Sequence, residues 1–112
     1  MKYSMFIGRW QPWHAGHRWL IDQRLNKNKN VLIAVREVSK DDNNPYDPVE
    51  VKKNIEYELS DLVSSGNVKV IIIPDVESIN YGRGVGYDII EHVPPQKIGK
   101  ISATEIRKKI KK

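Results

Sequence analysis

The chain contains no cysteine, a single phenylalanine and two methionines among its 112 residues. Without cysteine it forms no disulfide and offers no thiolate to a metal. Histidine is scarce too, with three residues in all, so any imidazole chemistry falls on few positions. No apolar run approaches the length of about 18 residues that a membrane helix needs. Residues 1–10 lack an apolar stretch followed by a small-residue cleavage site, so no secretory signal is read. Cytoplasm is the default compartment, and the length suits one compact domain spanning residues 1–112. A surplus of positive charge over the body is also missing. The net charge is +5, but five basic residues and no acid fall within residues 107–112. The remainder balances fourteen basic residues against fourteen acidic ones. The high pI therefore does not argue for a nucleic-acid surface; the basic tail reads as a helix end that complements the helix dipole.

What is present is an alternation of apolar runs and helical patterns. Residues 3–8 predict a strand ending at Gly8, and residues 15–26 predict a helix carrying Leu20, Ile21 and Leu25. Residues 31–36 and 68–73 are continuous apolar runs, the pattern of strands buried on both faces. Between them, Asp47, Pro48 and Glu50 provide an N-cap, a first-turn proline and a capping box. Val51, Ile55, Leu59, Leu62 and Val63 mark one face of the helix that follows, and Gly66 stops it. After a glycine-rich run, Tyr81-Gly-Arg-Gly-Val-Gly86, residues 87–93 predict a short fourth strand and residues 102–112 a final helix. This order implies an α/β fold, Rossmann-like, with a mainly parallel sheet of about four to five strands and helices on both faces. Ligands of such sheets bind beyond the carboxyl ends of the strands.

Two segments carry chemistry. The first is Gly8-Arg-Trp-Gln-Pro-Trp-His-Ala-Gly-His17, directly behind the first strand. His14 and His17 are three apart at a helix start and share a face, and Gly16 between them leaves the backbone open to a bulky anion. A helix N-terminus supplies free N–H groups and a positive field, which suits phosphate, and imidazoles there can donate to phosphoryl oxygens whose charge grows in the transition state. As a metal pair the two histidines lack an evident third ligand, and no protein metal site is expected. The second segment is Ile101-Ser-Ala-Thr-Glu-Ile-Arg107. Ser102 and Glu105 make a capping box, which a plain helix would also use. Thr104 and Arg107 add a hydroxyl and a guanidinium, completing a second cradle for an anion.

The first segment resembles the HxGH signature of the nucleotidylyltransferase superfamily, and the second resembles its ISxTxIR-type signature. Asn44-Pro-Tyr-Asp-Pro-Val-Glu50 is similar to the asparagine-proline-aromatic run before the second helix in archaeal-type nicotinamide mononucleotide adenylyltransferases. The resemblance spans nearly the whole chain. It implies transfer of a nucleoside monophosphate from a triphosphate to a phosphorylated acceptor, with release of pyrophosphate. It assigns His14, His17 and Arg107 to catalysis, and Gly8, Arg9, Trp10, Gly16, Ser102 and Thr104 to nucleotide binding. It implies Mg2+ bridging the phosphates without a dedicated protein cage. Trp13, Arg36, Lys40 and Arg83 are candidates for the acceptor, each with a bland alternative as surface or packing residue. The expected partners are a nucleoside triphosphate and a small phosphorylated acceptor, with no nucleic acid and no membrane; a homo-oligomer is left open. ATP is favoured, because residues 95–100 lack the arginine-threonine-glutamate-glycine run common in cytidylyltransferases. A compact cytidylyltransferase of the glycerol-3-phosphate type and a non-catalytic nucleotide-binding regulatory module are the alternatives.

Overall fold

The computed structural model describes residues 2–82, 86 and 88–95. Among these, three strands and three helices alternate: β1 (Tyr3–Gly8), α1 (Ala15–Leu25), β2 (Asn30–Glu37), α2 (Pro48–Glu58), α3 (Ser60–Ser64) and β3 (Val68–Pro74). The strands form one parallel sheet in the order β1-β2-β3. Gly8 stands beside Val35 and Val35 beside Ile72, so all three strands point their carboxyl ends at one edge of the sheet. The protein is thus α/β with a parallel sheet.

The apolar runs become strands because both faces of each can be covered. On one face Val31, Ile33 and Val35 of β2 meet Val68 and Val70 of β3, and Ile21 of α1 with Val51 and Ile55 of α2 closes over them. These side chains are all 5% exposed or less, which makes this layer the core. Adjacent residues on a strand point to opposite faces, so Met5, Ile7, Leu32, Ile71 and Ile73 share the other face. Ala34 there is fully buried, whereas Met5 is 55% exposed. Helices were expected on both faces; among the described residues they pack on one. The two crossovers step across the sheet in the same direction, and a common right hand places their helices together.

Helix starts follow the sequence closely. Asp47 caps α2, Pro48 opens it, and the Glu50 carboxylate accepts the Asp47 backbone N–H at 3.4 Å. The helix predicted to run on to Gly66 is broken at Leu59, whose backbone leaves the helical region (φ −112°, ψ 27°) while its side chain stays in the core. Gly66, at φ +83°, ends α3 in a conformation that an L-residue adopts at a cost. The fourth strand expected over 87–93 does not form over residues 88–93. Ile89 and Val93 are exposed there, and a strand without a partner leaves its ladder groups unpaired. The segment does return to β1, since the His92 ring stacks on Phe6 with centroids 6.0 Å apart. The final helix predicted over 102–112 lies outside the described residues. No helix among those described is long and apolar enough to cross a membrane.

Candidate active site

The turn from β1 to α1 is built around Trp10. Its backbone has φ +56°, and its indole lies under Gly8, where an added Cβ would stand 3.0 Å from the ring. The indole N–H donates to the Ala34 carbonyl at 3.0 Å, fastening the turn to β2. Trp10 is 6% exposed, a core residue whose ring is packed inside the turn. Gln11 is buried beside it and joined by a cis peptide to Pro12. Its side-chain amide donates to the Tyr46 carbonyl and accepts the Tyr46 N–H, both at 3.0 Å. The turn before α1 is thereby paired with the turn before α2.

His14 is the N-cap of α1, a place usually held by Ser, Thr, Asp or Asn. Its Nδ1 accepts the Gly16 N–H at 3.1 Å, and its own backbone N–H donates to His17 Nδ1 at 3.2 Å. The two histidines therefore form a capping box in which imidazoles stand in for the hydroxyl and the carboxylate. Their rings stack with centroids 3.6 Å apart and planes 21° apart. Trp10 meets His17 edge-on at 4.9 Å and Trp13 meets it tilted at 5.4 Å, enclosing that ring on further sides.

This geometry fixes protonation. A neutral imidazole has one donor and one acceptor nitrogen. Each Nδ1 is an acceptor, so each proton sits on Nε2. Burial lowers the His14 pKa. Burial, and then the neighbouring His14, push that of His17 down to about 3. At neutral pH the pair is uncharged and presents two N–H donors at the N-terminus of an eleven-residue helix.

The other expected residues are distributed around the same sheet edge. Arg9 donates to the Asn44 side-chain carbonyl at 3.3 Å. Asn44, only 3% exposed, is held by Asp41, which accepts both its backbone and side-chain N–H groups. The Asn44 amide, the Asn43 and Asn44 backbone N–H groups and the Arg9 charge hold the Asp41 carboxyl below its ordinary pKa. Arg36, at the end of β2, is matched by Asp75: two of its N–H groups reach one carboxylate oxygen at 3.0 and 2.7 Å, and another reaches the Val76 carbonyl. It lines an open cleft of about 310 Å³ with Ile7, Val76, Glu77, Ser78 and Ile79. Trp13 is half-buried against the core, and Lys40 is exposed in the loop after β2. Arg83, Ser102, Thr104 and Arg107 lie outside the described residues. Gln11 and Asp41 were given no role from sequence, and Asn44 only its place in the asparagine-proline-aromatic run. Gln11 pairs with the backbone of a distant loop and Asp41 with groups of its own loop, and neither pattern leaves a sequence periodicity. Compared with protein-family models and with curated proteins, the chain finds no match in either.

Proposed function

We propose that the protein is a nucleotidylyltransferase that moves a nucleoside monophosphate, AMP from ATP by preference, onto a small phosphorylated acceptor. One observation carries this reading: the stacked, neutral His14–His17 pair, protonated on Nε2, at a helix N-terminus on the carboxyl edge of a parallel sheet. Capping alone asks for a hydroxyl and a carboxylate. Two imidazoles in their place bring what those groups lack, a pair of additional N–H donors beside free helix N–H groups, which is a set of donors for phosphoryl oxygens. The order β1-β2-β3 supports reading the sheet as the first half of a Rossmann-like sheet of four to five strands. The contact of His92 with Phe6 supports a return of the chain toward β1.

In the proposed reaction an oxygen of the acceptor phosphate attacks the α-phosphorus in line. The bond to the β-phosphate breaks and pyrophosphate leaves. The nucleophile is already an anion, so no base is required, and the histidines act as fixed donors to the growing negative charge. Ser102, Thr104 and Arg107 are proposed to hold the β- and γ-phosphates, and Arg36 with its cleft to face the acceptor. Mg2+ would arrive on the triphosphate and neutralise its charge. Among the described residues no three His, Cys, Asp or Glu side chains gather around one point, and an ion carried by phosphates and water needs no such cage.

The test is pyrophosphate release from each nucleoside triphosphate with Mg2+ and a panel of phosphorylated acceptors, together with exchange of labelled pyrophosphate into the triphosphate. With a productive acceptor, His17→Ala is expected to lower kcat by about 10²–10³-fold, the effect of losing one preorganised donor. Nucleotide affinity should fall much less. Tight binding without release or exchange across the panel would replace the enzyme by a nucleotide-binding regulatory module.

A further inference from the structure

We infer that Gln11 is a positioning residue: by pairing with the Tyr46 peptide it holds the turn between β1 and α1 in the shape that keeps His14 and His17 stacked and in a single tautomer. The inference deepens the proposed function, because the rings it positions are those assigned to the phosphates.

Residues 9–13 belong to no strand or helix, so their path is set by tethers. Among the described residues, hydrogen bonds tie this stretch to other parts of the fold from Arg9 to Asn44, from Trp10 to Ala34 and from Gln11 to Tyr46. The Arg9 bond is long, at 3.3 Å. The Trp10 bond fixes one indole. The Gln11 contact alone uses two bonds in antiparallel sense, donor to carbonyl and acceptor from N–H, as one strand residue does with another. Gln11 is 2% exposed, so its bonds to Tyr46 are shielded from water, where a lost hydrogen bond is costly. Tyr46 immediately precedes the N-cap of α2, and Gln11 stands three residues before the N-cap of α1. The contact thus sets one helix start against the other.

The consequence reaches the histidines through aromatic rings. Gln11 lies between Trp10 and Trp13 in sequence, and both rings enclose His17. With the middle of the turn loose, the tryptophans lose their fixed spacing, and the His17 ring gains freedom to turn away from the His14 backbone N–H. A mere contribution to stability would lower the melting temperature and leave the native rings as they are.

The experiment is histidine-ring NMR on full-length protein, reading nitrogen shifts that distinguish the two tautomers and the titration midpoint of each ring. In the wild type both rings should be Nε2–H, with His17 titrating near 3. In Gln11→Met, which keeps bulk and removes both bonds, His17 should show mixed tautomers and a midpoint moved upward by at least one pH unit. Gln11→Glu retains an acceptor for the Tyr46 N–H and should lie between the two; it carries the same measurement where the methionine variant does not fold. Wild-type tautomers and midpoints in a folded variant would overturn the inference. Adding MgATP separates the two proposals. If the wild-type histidine signals ignore the nucleotide, the assignment to phosphate fails, while the effect of Gln11 on the rings is still read.

Discussion

His14 and His17 carry their protons on Nε2 because each Nδ1 already accepts a backbone N–H, and this decides how pH acts on them. An imidazolium would lose its hold on an anion as pH rises through its pKa, about tenfold per unit where that charge is required. A neutral donor does not. The affinity for MgATP is therefore expected to stay within about twofold from pH 7.5 to 9, measured by calorimetry, whereas a steady fall across that range would indicate a charged histidine. Stability responds at lower pH. The His17 pKa is about 3 when folded and 6.5 as the ordinary value, so the unfolded chain takes up the proton first. The contribution is fully present above 6.5 and is lost as pH drops toward 3. His17→Gln keeps an acceptor at the third helical position, where capping boxes accept glutamine, and removes the titrating ring. On moving from pH 7.5 to 5 its melting temperature should fall less than that of the wild type; parallel decreases would exclude His17 as the acid-sensitive group.

The element that positions these rings is the turn from β1 to α1, and its tightest point is Gly8 over the Trp10 indole. A Cβ on residue 8 would stand 3.0 to 3.3 Å from three ring atoms, and the indole is pinned by its bond to Ala34. Gly8→Ala is expected to cost about 1–3 kcal/mol, as overpacking in a filled core does, read from the denaturant midpoint with unchanged slope. In a Trp10→Phe background, where the smaller ring leaves space, most of that penalty should vanish; an undiminished penalty would mean that the clash lies elsewhere. Much at this scale was legible in the sequence. Continuous apolar runs placed β2 and β3 to within a residue or so, and Asp47-Pro48 with Glu50 marked the start of α2. The break at Leu59 was not, because Val51, Ile55, Leu59 and Leu62 keep helical spacing straight across it. Nor was the fate of residues 88–93, whose β-branched pair has strand propensity but finds no ladder. At the site, the spacing of His14 and His17 was visible, and their capping box followed from the same turn once its backbone was known. The Gln11–Tyr46 contact bridges 35 residues of chain and could be found only in the fold.

Across the whole molecule, the parallel order gathers the turns after β1, β2 and β3 at one edge, bringing together segments distant in sequence. The proposed site asks for one more, the run from Ser102 to Arg107, whose role rests on its resemblance to a signature and on its chemistry. Thr104 and Arg107 are three apart and share a face if the run is helical, with Ser102 as cap. A helix needing only its cap and its apolar Ile101, Ile106 and Ile110 is indifferent to residue 107. A phosphate site is not, because the planar fork of guanidinium donors cannot be reproduced by an amide. Arg107→Gln is therefore expected to leave the melting temperature near that of the wild type. It should weaken ATP binding by roughly 1.5–3 kcal/mol, the range for a hydrogen bond to a charged group. AMP lacks the β- and γ-phosphates, so its affinity should change much less. Calorimetry with both nucleotides on both proteins separates these outcomes. Equal losses for ATP and AMP, or no loss for either, would reduce the C-terminal segment to a capped helix and leave phosphate binding to the histidine turn alone.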